Sequence, residues 1–410
     1  MHEGWAKHNL GEVSEVLRRG ITPKYVDSLD TDSIVVLNQK CIRDGKVDLS
    51  LARVTKRVPA LKEDRILKRG DILINSTGRG TLGRTARWNQ DIEATVDSHV
   101  TILRPSTVVD ASFLGVVLGG REDEIESLAS GSTSQTELSP ASISSMLVWF
   151  PPLPEQKRIV DLIGAVDGAI DEASQTLRAT DNSLNAFLDR LHSPRTTPLG
   201  ELAAMRSGPS WNSKQESESP VEGAVPVLSI TNTKADGRLD LSDRRFVSGL
   251  PDSVMRLSEN SLVIIRTNGN RARIGNVYRS VAETVGHAVS AFQIAVEPLD
   301  PSMSSYLYWA LRAPNMQERM SNAASGSTGL GNIAIGWLKN LELPQLDEGN
   351  QIAFVELCEA FHGVQKCLHS KLNDLRTLRF QLLSSLLSGH HRIPESYDEL
   401  LEAQPEFVAV

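Results

Sequence analysis

A chain of 410 residues exceeds what one small core needs and predicts two or three domains. With 40% hydrophobic and 23% charged residues it has the composition of an ordinary folded protein, and no run of about 18 apolar residues is present to span a membrane. A net charge of −8 argues against nucleic acid only as an average, because residues 53–87 carry ten Lys/Arg against three acids and residues 342–410 carry eleven acids against five bases.

Met1–Leu10 has no apolar core and predicts no signal peptide. Leu10-Gly11-Glu12-Val13 then opens a region of short strands and turns. Ser33–Leu37 predicts a buried strand, Arg43-Asp44-Gly45-Lys46 a hairpin turn, Asp71–Asn75 a second strand and Val96–Leu103 a third. The basic stretch within it supplies Lys56, Arg57, Arg79, Arg84 and Arg87; a phosphate-binding surface needs only such a local positive field, and a solvated face is the alternative. Ser112–Leu118 reads as a short helix. Pro151-Pro152-Leu153-Pro154 marks a boundary, after which Ile159, Leu162, Ile163, Val166, Ile170, Leu177, Leu184, Leu188 and Leu191 fall at helical spacing, with Pro194 as the stop.

The series then repeats. Leu199-Gly200-Glu201-Leu202 repeats the opening, Asp236-Gly237-Arg238-Leu239-Asp240-Leu241 repeats Asp44–Leu49, Ala324–Thr328 repeats Ala129–Thr133, and Leu343-Pro344 repeats Leu153-Pro154. Four matches in one order at an offset of about 190 residues indicate duplication of a whole domain with its appendage. Val225–Ile230, Ser261–Ile265 and Ala291–Val296 are the matching strands, and Ser304–Leu311 the matching short helix. The segment 265–279 carries Arg266, Arg271, Arg273 and Arg279 without an acid. A second helical stripe runs through Ile352, Val355, Phe361, Val364, Leu368, Leu372, Leu375, Leu378, Leu382 and Leu386 to a stop at Gly389. Two long single-stripe helices need partners, and pairing with each other as a coiled coil is the economical solution; packing of each on its own domain is the alternative.

Gly131-Ser132-Thr133, then Pro151-Pro152-Leu153-Pro154-Glu155-Gln156 leading into a long helix, together with the Leu-Gly-Glu opening and Arg69-Gly70-Asp71-Ile72-Leu73, resembles the specificity subunit of Type I restriction–modification enzymes over about residues 5–388. In the second copy Gln345-Leu346-Asp347-Glu348 replaces the Pro-Glu-Gln element. The resemblance implies an α+β fold: two tandem target recognition domains, each followed by a long α-helix, the helices pairing as an antiparallel coiled coil. The expected boundaries are 1–150 and 194–343 for the recognition domains, 151–193 and 344–389 for the helices, and 390–410 for an acidic C-terminal tail. It further implies a non-catalytic cytoplasmic subunit that reads a bipartite double-stranded DNA target. Its implied partners are two modification (methyltransferase) subunits and restriction (motor–nuclease) subunits, with no cofactor. Glu155, Gln156, Ile159, Ile163, Ile352 and Val355 are the expected docking residues.

Loops that differ between copies while the preceding strand persists are where base contacts are expected. Ser76–Arg84 and Arg266–Gly275 fit that description, and Arg79, Arg84, Asn268, Asn270, Arg271 and Arg273 are the candidates, with Lys56, Arg57, Arg87 and Arg266 beside them. Gly131–Thr133 and Gly326–Thr328 read either as DNA contacts or as small-residue turns. Gly78-Arg79-Gly80-Thr81-Leu82-Gly83 matches a dinucleotide fingerprint, but no amphipathic helix follows and the second copy loses the spacing, so it reads as a loop. Cys358, His362 and His369 lie on one helix and could reach a metal or simply pack, while His390-His391 falls in the tail. Cys41, Cys358 and Cys367 are an odd, scattered set that predicts no disulfides. Phosphate loops, zinc-hydrolase motifs, nucleophile elbows and amino-methyltransferase signatures do not occur in the sequence. An enzyme with an unrecognised nuclease or methyltransferase site, or a duplicated protein-binding scaffold, is the alternative.

Overall fold

The computed structural model describes residues 4–130, 136–234, 237–324, 331–389 and 391–403, with side chains as far as 400. The chain forms two compact units, one from Met1–Ala173 with Lys371–Val410 and one from Ser174–Ser370.

In the first unit the strand Ile72–Asn75 is buried on both faces, which is why it reads as an unbroken apolar run. Ile72 and Ile74 join a core with Leu10, Leu103, Phe113 and Leu114, while Leu73 points into a second core with Trp88, Val96, Val100 and Ile102. The strand lies in an antiparallel sheet of order Ser14–Arg19, Val100–Pro105, Ile72–Asn75, Thr85–Arg87. A second sheet has the order Ala94–Val96, Ser33–Leu37, Arg53–Lys56, Tyr25–Val26, its first pair parallel. Ala6–Asn9 pairs with Leu147–Phe150. The helix Ala111–Gly119 starts where the Asp110 carboxylate accepts the Phe113 N–H at 2.9 Å. The expected hairpin forms, with Asp44 and Gly45 both at positive φ (52° and 73°), as a two-residue turn joining twisted strands requires.

One expected strand divides. Val96–Leu103 is two strands in different sheets, Ala94–Val96 and Val100–Pro105. The break is at Asp97, whose carboxylate accepts the His99 N–H at 2.9 Å and turns the chain from one sheet to the other. Apolar residues on both sides hide this turn from a pattern reading.

The second unit repeats the plan of both four-stranded sheets. One sheet has the order Ala203–Ser207, Gln293–Pro298, Leu262–Ile265, Val277–Arg279, all antiparallel. The other has the order Ala288–Val289, Ala224–Leu228, Arg245–Ser248, Glu216–Ser217, again with its first pair parallel. Thr196–Pro198 pairs with Glu342–Pro344. Leu262 and Ile264 face one core and Val263 and Ile265 another, as Ile72, Ile74 and Leu73 do in the first unit. Ser304–Arg312 supplies the short helix, with Tyr306, Leu307 and Trp309 buried.

The long helices are Leu153–Leu188 and Glu348–Ser388, 36 and 41 residues. At about 1.5 Å per residue they extend about 54 and 62 Å. Each contributes to both units. In the first unit Ile159 and Ile163 share a core with Leu383 and Leu386, and Arg379 pairs with Asp167, Nη2 to Oδ2 at 3.1 Å. In the second unit Leu184 and Leu188 share a core with Phe354 and Cys358, Phe187 stacks on Phe354 at 5.6 Å, and Gln365 donates to Asp181 at 2.7 Å. In both units the helices therefore contact each other in antiparallel sense. Val364 and Leu378, read as members of the buried stripe, are each 49% exposed. The first helix stops at Leu188, short of Pro194; the second ends at Gly389, whose φ of 77° suits a left-handed helix end.

Residues 391–400, expected to begin a tail, fold onto the first unit. Ile393 is buried in its core, Arg158 grips the Asp398 carboxylate with two bonds of 2.7 and 2.6 Å, and Tyr397 donates to Asp161 at 2.6 Å. The Arg158 guanidinium holds the Asp398 carboxyl below the usual carboxylate range. Cys41 and Cys358 are buried free thiols and Cys367 an exposed one. Among the described residues no helix is long and apolar enough to cross a membrane.

Candidate nucleic-acid interface

The loops singled out from the sequence sit at equivalent places on equivalent frameworks. In the first unit Asn75 N–H donates to Arg84 O and Gly83 N–H to Asn75 O, both at 2.9 Å; in the second Ile265 donates to Asn276 and Gly275 to Ile265, again at 2.9 Å. This clamp closes the loop Ser76–Leu82 in one unit and the longer Arg266–Ile274 in the other. Gly83 and Gly275 have φ of 84° and 90°, and a Cβ at either would lie 2.7 Å from Glu122 O or 2.8 Å from Met320 Cβ. Leu82 and Ile274 plug both loops into the core. Between plug and clamp the sequences diverge. The glycine-rich loop of the first unit runs into the strand Thr85–Arg87, not into a helix, so no helix N-terminus meets it.

The candidate side chains differ in their local commitments. Arg79 is exposed and forms no ion pair among the described residues, and Lys56 is exposed on a sheet strand. Arg84 is half-buried next to Glu122, whose carboxyl burial pushes up even though the Thr85 N–H donates to it at 2.7 Å. Arg57 is paired with Glu93, and Arg87 donates to Ser112 while burial lowers its guanidinium pKa. In the second unit the arginines fasten backbone carbonyls. Arg266 donates to Ile333 O at 3.3 Å and to Ser207 Oγ at 2.9 Å, Arg271 to Ser321 O and Ala324 O at 3.3 and 2.9 Å, and Arg273 to Thr233 O. Asn270 caps the turn by accepting the Ala272 N–H at 3.1 Å. Asn268 accepts the Asn270 N–H at 2.8 Å through its carbonyl oxygen, leaving its amide N–H group without a hydrogen-bond partner among the described residues. Gly131–Thr133 and Gly326–Thr328 lie outside the described residues.

Sequence reasoning missed one feature of the second unit. A groove of about 590 Å³ opens beside the loop, walled by Trp211, Ile230, Thr231, Asn268, Ala291 and Phe292. Phe292 is 48% exposed, and the Trp211 indole N–H donates to Glu216 at 3.0 Å, which fixes the ring. These residues come from four separate segments of the chain, so no local motif announces them.

The expected docking residues are split. Glu155 and Gln156 are buried: Gln156 accepts the Asp110 N–H at 2.9 Å and donates to Pro151 O at 2.8 Å, and Glu155 lies 3.7 Å from Arg392. Ile159 and Ile163 are within the first unit's core. Val355 packs at the edge of the second unit's core and Ile352 is 52% exposed. On the same helix Leu357, Val364, Leu378 and Phe380 also present apolar surface, Phe380 at 69% exposure. Cys358 is buried, which pushes its thiol up to about 12, and His362 lies edge-on to Trp309 at 5.9 Å. Among the described residues no three His, Cys, Asp or Glu side chains gather as a metal site.

Comparison with known proteins agrees with this architecture. Residues 2–179 match the family model of the Type I restriction modification DNA specificity domain. The chain is 22% identical to the Type I restriction enzyme StySPI specificity subunit of Salmonella potsdam, over 95% of this chain and 89% of that one. It is 23% identical to the EcoKI specificity subunit of Escherichia coli K12, over 67% and 63%. Among solved structures, the Type I restriction–modification S subunit of M. genitalium superposes with a TM-score of 0.54 at 15% identity, covering 93% of this chain and 96% of the other. A chain from a structure describing complex assembly and conformational transition of the Type I system gives 0.58 at 18% identity, covering 95% and 99%. A duplicated α+β unit and two long helices meeting antiparallel accompany one assignment: residues 2–179 are a Type I restriction modification DNA specificity domain, and the chain as a whole is similar to Type I restriction enzyme specificity subunits.

Proposed function

We propose that the chain reads a bipartite double-stranded DNA target, one half-site per unit, and presents the target to modification and restriction subunits without chemistry of its own. One observation carries this reading: two frameworks with the same order of four-stranded sheets close loops of different length and sequence at the same clamp. A duplicated reader whose variable residues concentrate on one loop reads two unlike sequences with one geometry. Lys56, Arg79 and Arg84 of the first unit supply cations for phosphate or guanine contact; Asn268 and the exposed Arg271 supply the second. The exposed apolar residues of the second long helix, Ile352, Leu357, Val364, Leu378 and Phe380, supply the docking surface for protein partners. The free thiols suit the reducing cytoplasm.

The test is selection of bound duplexes from a randomised pool by the full chain assembled with its modification subunits. The reading expects a two-part, asymmetric consensus with a gap of fixed length. A single undivided consensus, or none, overturns it.

A further inference from the structure

The two units allow a residue-by-residue correspondence at the groove. Ser76 N–H donates to His99 O and Arg266 N–H to Phe292 O, both at 2.8 Å. Asp97 N–H donates to Leu37 O at 2.8 Å and Ser290 N–H to Leu228 O at 2.9 Å. Cys41 N–H donates to Asn38 O at 2.9 Å and Asn232 N–H to Ser229 O at 3.2 Å. Gly20 and Gly208 both press against the carbonyl of the strand beside them, Val96 or Val289. Thus His99 occupies the position of Phe292, Gly78 that of Asn268, Gln39 that of Ile230 and Lys40 that of Thr231. The backbone is held in common and the side chains on the groove are exchanged.

Resting on the reading above, we propose that the groove beside Asn268 and Phe292 receives a base edge of the second unit's half-site, and that these two residues choose the base. Its occupant is duplex DNA, not a peptide or a small molecule. The loop Arg266–Ile274 beside the groove carries Arg266, Arg271 and Arg273 and no acid, with Arg271 exposed, which complements a phosphate backbone. The Asn268 amide N–H group has no hydrogen-bond partner among the described residues, and its orientation is fixed because the carbonyl end accepts from Asn270. Phe292 stands alongside as an apolar face. An unpartnered N–H donor on the groove lining beside an apolar wall matches thymine, whose major-groove edge offers an O4 acceptor and a C5-methyl group. The first unit, with Gly78 and His99 at these places and the His99 ring engaged by Thr77 Oγ1 at 2.6 Å, lacks both features and reads a different base there.

The experiment gives the second unit the first unit's residues, Asn268→Gly with Phe292→His. The full chain, assembled with its modification subunits, methylates a panel of duplexes carrying each base pair at each half-site position. A bidentate or methyl-specific contact is worth about 1–3 kcal/mol, so the preference at one position of one half-site changes roughly 5- to 150-fold while the other half-site is read as before. Phe292→Leu, which keeps the apolar wall, retains the wild-type preference. If the double variant methylates the split site with wild-type preference at every position, the groove is not the reader and the proposal falls while bipartite reading stands. If wild type itself shows no two-part preference, both fall.

Discussion

Gly20 and Gly208 offer a matched perturbation of the two units. A Cβ at Gly208 would lie 1.9 Å from Val289 O and 2.4 Å from Ser290 O; at Gly20 it would lie 2.0 Å from Val96 O and 2.4 Å from Asp97 O. All four neighbours are backbone, so no side-chain rotation relieves the clash, and the strands must part by roughly 1 Å. That displacement breaks the bond from Gly208 N–H to Gln293 O (3.2 Å) or from Gly20 N–H to Val100 O (3.0 Å), worth about 1 kcal/mol, and adds overpacking of about 1–3 kcal/mol. Gly20→Ala and Gly208→Ala should each cost about 2–4 kcal/mol. Urea melts give the loss, and hydrogen exchange locates it: Gly20→Ala loosens the first unit and Gly208→Ala the second. Because Gly208 precedes the groove and Gly20 holds the equivalent place in the first unit, the matching half-site should lose discrimination while the other keeps it. A cost under about 0.5 kcal/mol for either variant, or loosening spread equally over both units, refutes the reasoning.

Further outcomes follow from particular contacts. Asp71 is 1% exposed and takes two bonds of 2.8 Å from Arg104 and one of 2.8 Å from the Lys68 N–H, so Asp71→Asn leaves a buried guanidinium uncompensated and should cost about 3 kcal/mol in chemical denaturation. Arg79→Ala should weaken DNA binding by the assembled complex and reduce the slope of log affinity against log salt by about 1, measured by fluorescence anisotropy across a salt series. Burial lowers the pKa of His287, whose ring Nδ1 is buried without a partner. Its contribution to stability is complete above the ordinary histidine pKa of 6.5 and is lost as pH falls toward the depressed folded value. Melts from pH 7 to 5 should therefore show a decline that His287→Leu makes shallower.

The duplication was legible because strands buried on both faces carry a simple signature: Asp71-Ile72-Leu73-Ile74 and Ser261-Leu262-Val263-Ile264 keep it although their loops differ. The long helices were legible from their stripes, but a stripe does not name its partner. Ile159 and Ile163, expected from the resemblance to dock partners, lie in the first unit's own core, whereas Val364 and Leu378, read as members of the buried stripe, are half exposed. The arginines of the second loop showed their charge but not their carbonyl partners, which lie about 40 to 70 residues away and are reached only after folding. The groove was invisible for the same reason. Trp211, Thr231, Asn268 and Phe292 belong to four segments that adjoin only once two sheets have formed.

The central claim is that one reading module is present twice. Mapping methylated bases across the genome of the source cell, with and without this gene, tests it most directly. The account predicts an asymmetric motif in two parts, separated by a fixed gap, that disappears when the gene is removed. A methylation pattern that survives the deletion, or a lost motif without a gap, would contradict it.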